Sequence, residues 1–135
     1  MFVCVLWAPL ANAGDFGREF QPYLEGAKYP QNAQWDNDRW NIDHWIEARD
    51  GYASRVIGGF YHADIVSDFY PERRIPLLVV GQRFLRLSGL EKRRIVKFMD
   101  DVYGVTGASR AGVIMVRLDD DELLGVYDGV RLQLQ

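Results

Sequence analysis

The chain has 135 residues, 48% hydrophobic and 26% charged, which fits one globular domain with enough apolar material for one core and leaves little room for a second. Its formal net charge of −3 at pH 7 excludes the broad basic footprint that contacts to a nucleic-acid backbone require, so no nucleic-acid partner is expected. Its single cysteine, Cys4, lies in the first fourteen residues, so a chain lacking them has no disulfide, thiolate metal site or cysteine nucleophile.

Those residues, MFVCVLWAPLANAG, carry no charged side chain, and an apolar run from Phe2 to Leu10 precedes Ala11-Asn12-Ala13, which has the small-x-small form of a signal-peptidase site. Residues 1–13 therefore read as a signal peptide and 14–135 as a single α+β domain. The run lacks the positive n-region of such leaders, so either the start lies upstream or the run is an ordinary N-terminal strand. It is far shorter than the ~20 apolar residues of a spanning helix, and no membrane span is expected. Protein made with its full natural start should give Gly14 as its first residue on N-terminal sequencing. A cytoplasmic product retaining Met1 would rule out export.

Residues 14–34 show no clear period and read as an irregular lead-in. From Asn37 to Phe60 the three-and-four spacing of Ile42, Trp45, Ile46, Ala53, Val56, Ile57 and Phe60 predicts one long helix, weakened or bent near Gly58-Gly59. A second helical piece is expected over Tyr61 to Phe69. Pro71 and Pro76, bracketing Glu72-Arg73-Arg74-Ile75, mark the passage from helix to sheet. "IPLLVVGQRFLRLSG" reads as two short strands turning at Gly81-Gln82, or as one strand bulged at Gly81, the hairpin being preferred. Ser88 and Glu91 form a capping box, and Ile95, Phe98, Met99 and Val102 supply the buried face of a helix running to about Tyr103. After a glycine-containing connector at 104–112, "VIMVRL", "LLGVY" and "VRLQLQ" predict three strands, the last two joined at Asp128-Gly129, with Val130, Leu132 and Leu134 facing inward. The class is thus α+β: N-terminal helices and one later helix packed on one side of a small antiparallel sheet that ends in a three-strand meander. This order of elements is similar to that of the NTF2-like fold, in which a curved sheet and helices enclose a pocket, though the likeness is one of order and not of motif.

The tryptophans at 35, 40 and 45 follow from helix entry. With Asp36 as N-cap, Trp35 and Trp40 occupy the two positions of a hydrophobic staple, and Trp45 lies on the apolar stripe. The competing reading makes Trp40 part of an exposed aromatic platform for a ligand. Asp43, Glu47 and Asp50 form one acidic helix face, of a kind that is usually solvated. Arg49 falls at an angle inside the apolar stripe. It either runs its methylenes over the core to water or, if buried, contacts an anionic ligand. His44 and His62 are too far apart along one helix to share a metal, and His62-x-Asp64 is a candidate local acid–base pair, with Asp43 as a further carboxylate. No metal site is expected.

"GASRA" at 107–111 lacks the strand-before, helix-after setting of a serine nucleophile elbow, and no phosphate loop, dinucleotide fingerprint or HExxH stretch occurs, so no cofactor is expected. The run Asp119-Asp120-Asp121-Glu122 holds more carboxylate than a turn needs. Either it is a solvated turn, or it docks on a basic partner or a divalent cation rather than folding back on Lys92, Arg93 and Arg94, whose place at a helix N-terminus opposes the dipole. These features point to an exported binding protein of a bacterial envelope, periplasmic or secreted. It would be of inhibitor or immunity type and act by protein–protein contact through Asp119 to Glu122, Arg49 and Trp40. The alternatives are a small pocket enzyme, a lyase or isomerase of NTF2-like shape using Asp43, His62 or Asp64, and a structural accessory of a secretion or surface assembly. Nothing in the sequence indicates an oligomeric state.

Overall fold

The computed structural model describes Gln34 and residues 39–135. The proposed leader, the Asp36 cap and the Trp35–Trp40 staple lie outside the described residues. Helix α1 (Ile42–Ala48) begins at Asn41, whose side chain accepts the Asp43 N–H at 2.9 Å while His44 Nδ1 accepts the Asn41 N–H at 3.1 Å. This makes Trp40 the residue before the cap and Trp45 the fourth residue of the helix. Their rings meet edge-on with centroids 4.7 Å apart. A staple of the expected five-residue spacing is present, built from Trp40 and Trp45.

The long helix predicted over 37–60 is broken. After the C-cap Arg49, Asp50 takes a left-handed conformation (φ 60°), the Asp50 N–H bonds to Glu47 O, and the Gly51 N–H reaches back to Ile46 O at 2.9 Å. This is the paired bonding of a Schellman stop, with aspartate where glycine is usual. Helix α2 (Ala53–His62) continues without interruption through Gly58-Gly59 and ends by the same device. Asp64 (φ 61°) donates to Tyr61 O, and Ile65 to Phe60 O at 2.9 Å. The helical piece expected over 61–69 therefore stops at His62, and β1 (Val66–Tyr70) follows as a strand. A register shift between Val66 and Asp68 interrupts its alternation and hides it from a period-two reading.

Strand β2 (Leu77–Val80) is buried at all four residues, so the sheet is covered on both faces there. The second strand of the expected hairpin is instead a 3-10 helix, Gln82–Arg86, which buries Phe84 completely. Gly81 sits so close to the α2 stop that a Cβ there would lie 2.3 Å from Asp64 O, and its own N–H donates to Ile65 O. Such a packed backbone corner leaves no room for a hairpin turn. Helix α3 (Gly89–Tyr103) opens with the predicted capping box, in which the Glu91 N–H donates to Ser88 Oγ at 3.1 Å, and closes at Gly104 (φ 63°). The connector at 104–112 contains a short helix, α4 (Val105–Ala108).

Strands β3 (Ile114–Leu118), β4 (Leu123–Tyr127) and β5 (Leu132–Leu134) form the expected meander, and Val130 falls in the last turn, 71% exposed. The five strands lie in chain order. Three of the pairs are antiparallel, but β2 and β3 run parallel, joined through the 3-10 helix, α3 and α4, so the sheet of this α+β fold is mixed rather than wholly antiparallel. Parallel pairing needs such a long crossover, and the pairing partner of β2 could not be read from local pattern. On the side of β5 away from β4, the Leu132 backbone is satisfied by the Gln34 side chain, whose amide donates to Leu132 O and accepts the Leu132 N–H at 3.3 Å.

Candidate functional site

The parallel β2–β3 pair sets the geometry of the polar surfaces. Both strands start at the same end of the sheet, so the segment before β2 (71–76) and the segment before β3 (109–113) are brought together there, 30-odd residues apart in sequence. They line a cleft of about 430 Å³ with Arg73 and Arg74 on one side and Ser109 and Arg110 on the other, closed by Tyr103 and Gly104 at the end of α3. Arg73 lies over the Tyr70 ring, 4.0 Å from its centroid, and the Tyr70 hydroxyl donates to Asp68 Oδ2 at 2.6 Å. That bond, with the Phe69 N–H, holds the Asp68 carboxyl below the usual carboxylate range. Tyr103 packs edge-on against Phe69, which fixes the far wall. Glu72 is the one acidic residue of the lining. Among the described residues neither Arg74 nor Arg110 has an ion-pair partner.

At the opposite end of the sheet β3 runs into the acidic turn. The turn is tightly built: Asp121 (φ 70°) donates to Leu118 O at 2.9 Å, the Leu118 N–H to Glu122 O at 2.8 Å, and the Glu122 N–H to Asp120 Oδ1 at 3.2 Å. Arg117 Nε lies 3.3 Å from Asp121 Oδ1. Asp119, Asp120 and Asp121 are exposed and Glu122 is half-buried. The carboxylate of Asp119 has no partner among the described residues. Arg83 and Arg86, which follow β2 at this same end, make no ion pair with the turn. Lys92, Arg93 and Arg94, the nearest intramolecular candidates to compensate the acidic run, lie in the first turns of α3. Lys92 and Arg93 are buried, and Arg94 is half-buried with its guanidinium 5.2 Å from the Trp40 ring centroid. Burial pushes the Lys92 amine down to about 8.

A second cleft, about 350 Å³ and largely apolar, lies between α1, α2 and α3, walled by Trp45, Val56, Phe60, Ile65 and Ile95 with Arg49 and Glu91 among its lining. Arg49 is exposed, so the buried fate predicted for it is not the one it takes, and its Nη2 lies 4.0 Å from where a Cβ on Gly59 would stand. The Glu91 carboxylate is occupied by the capping box. Asp43 is exposed in the first turn of α1, His62 is exposed in the last turn of α2, and Asp64 is the left-handed residue that stops α2. None of the three lines either cleft, and no hydrogen bond joins His62 to Asp64. The acidic face predicted from Asp43, Glu47 and Asp50 is divided, because Asp50 leaves the helix and pairs with Arg55 at 2.9 Å. Trp40 is half-buried against the core and does not stand out as a platform.

Among the described residues no group of three or more His, Cys, Asp or Glu is placed to hold a metal, and no helix is long and apolar enough to cross a membrane. The residues that sequence reasoning passed over are Arg73, Arg74 and Arg110. The first two were visible as a basic pair between prolines and the third lay inside a rejected serine motif, but only the parallel pairing of β2 with β3 unites them. No protein-family model matches the chain, and no curated protein or solved structure gives a match.

Proposed function

We propose that this chain is an exported, non-catalytic binding protein, of inhibitor or immunity type in a bacterial envelope, that acts by protein–protein contact with its acidic β3–β4 turn docked on a basic surface. The observation that carries this reading is the form of the turn. Backbone hydrogen bonds fix it as a knob at the end of a central strand, while Asp119 and Asp120 stay exposed and, among the described residues, only Asp121 of its aspartates is ion-paired. A preorganised, solvated charge cluster steers encounter and sets partner choice at small ordering cost. The placement of Asp43, His62 and Asp64 outside the apolar cleft supports binding over a lyase or isomerase, which needs its acid–base groups against the substrate.

The test is a paired capture from extracts of the source cell, with the natural chain and the variant carrying Asp119→Asn, Asp120→Asn, Asp121→Asn and Glu122→Gln as baits. The expected result is a protein retained by the natural bait at low salt, released as salt rises, and absent from the neutralised bait. Equal retention by both baits would reject the docking role of the turn.

A further inference from the structure

We propose that the arginine cleft receives the acidic turn of a second copy of this chain, so that copies join head to tail. This rests on the reading that the turn docks, and it names the partner. The cleft gathers Arg73, Arg74 and Arg110 from two separate segments, and two of these guanidiniums have no ion-pair partner among the described residues. Guanidinium groups that line one concavity suit carboxylates, which they can bind in a bidentate way. A chain of net charge −3 that nevertheless sets three arginines against one glutamate in the lining of one cleft presents the complement of its own Asp119 and Asp120.

The topology decides the symmetry. The cleft lies where β2 and β3 begin and the turn lies where β3 ends, so donor and acceptor occupy opposite ends of the same central strand. A turn at one end and a cleft at the other cannot satisfy each other within one molecule. Between molecules they make a heterologous contact, in which each added copy presents a fresh turn and a fresh cleft. Intramolecular competition for Asp119 and Asp120 is small, because Arg117 engages Asp121 and, among the described residues, neither Asp119 nor Asp120 forms an ion pair. Contact between solvated charges of this kind is strongest at low ionic strength and is screened as the Debye length shrinks.

The experiment is sedimentation of the natural chain and of two one-sided variants, all at low salt and again at about 0.5 M NaCl, where the screening length is roughly 4 Å. The turn variant carries Asp119→Asn and Asp120→Asn, and the cleft variant carries Arg73→Gln, Arg74→Gln and Arg110→Gln. All five positions are exposed, and circular dichroism is to be used to check that each variant keeps its fold. The natural chain should grow in mass with concentration at low salt, without stopping at two copies, and revert to single chains at high salt. Each variant alone should stay a single chain. Mixed in equal amounts, the cleft variant supplies one intact turn and the turn variant one intact cleft, so the mixture should form a complex that stops at two chains. A natural chain that stays single at low salt, growth that survives in either variant, or a mixture that forms no two-chain complex would each overturn head-to-tail joining. If the natural chain stays single while the paired capture still loses a retained protein with the neutralised bait, the docking turn stands and only its partner is reassigned.

Discussion

Replacing Phe98 by alanine is expected to cost about 3 to 5 kcal/mol of unfolding free energy, the range for a large aromatic removed from a close-packed interior. Phe98 is fully buried in α3 and meets two other helices through rings. Trp45 of α1 stacks on it with centroids 6.0 Å apart, and Phe60 of α2 meets it edge-on at 5.6 Å. Trp45 and Phe60 also touch each other, at 5.9 Å, so the three rings form a closed triangle and removing Phe98 breaks two of its three contacts. Each such ring pair adds roughly 0.5 to 1.5 kcal/mol beyond simple burial. Phe98→Leu, which keeps most of the volume, should cost much less, about 1 kcal/mol. Urea unfolding gives both values, and the tryptophan emission of the alanine variant should move toward that of solvated indole as Trp45 loses its cover. A loss below about 1 kcal/mol for Phe98→Ala would mean that α1 and α2 are held on α3 by other contacts.

That cluster was legible in outline. The three-and-four spacing named Trp45, Phe60 and Phe98 as inward-facing, and the five-residue interval of the tryptophans announced a staple. What the spacing could not decide was which pair makes it. The interval repeats, so Trp35–Trp40 and Trp40–Trp45 satisfy the same pattern, and the reciprocal bonds of Asn41 and His44 start the described helix after Trp40. The helix ends were missed for a different reason. Both stops use aspartate in the left-handed conformation, where the common signal is glycine, and the glycine pair at 58–59 drew attention to a place where the helix continues.

The strands divide in the same way. The meander was readable because each of its strands carries its own period and its turns carry Asp-Gly or clustered aspartate. Asp128 shows the turn chemistry plainly, since the backbone N–H groups of Arg131 and Val130 hold its carboxyl below the usual range. Strand β1 was hidden by its bulge, and the parallel partner of β2 was hidden because pairing across a crossover of some thirty residues leaves no local mark. The arginine cleft depends wholly on that pairing. The acidic turn depends on none of it, which is why the turn was found from the sequence and the cleft was not.

Asp100→Ala should be the most damaging loss of a polar group, at about 3 kcal/mol, because it breaks charge-assisted bonds inside the protein and orphans their donors. Asp100 is 4% exposed near the end of α3, and its two carboxylate oxygens accept from the Thr106 N–H at 2.7 Å and the Thr106 hydroxyl at 2.8 Å. Those bonds tie the start of α4 to the helix before it, across the left-handed Gly104. Thr106 in turn lies against the β4–β5 turn, where a Cβ on Gly129 would sit 3.2 Å from its Oγ1, so the tie reaches the sheet. Asp100→Asn keeps an oxygen for the Thr106 N–H and should cost only about 1 kcal/mol. A second readout separates charge from shape. The Tyr127 hydroxyl is buried without a hydrogen-bond partner among the described residues, and burial first, then the negative charges of Asp100 and Asp101, push its ionisation well above the ordinary tyrosine value. Removing the Asp100 charge should bring that ionisation down in both variants alike, visible as earlier tyrosinate absorbance in an alkaline titration against the natural chain. The sign for stability follows: a tyrosine whose folded value is raised loses stability as pH climbs from its unfolded value toward the folded one, so both variants should lose less above about pH 10 than the natural chain does. Equal stability losses for Ala and Asn would show that the carboxylate acts through its charge alone, and an unchanged tyrosinate titration would show that Asp100 and Tyr127 do not share a field.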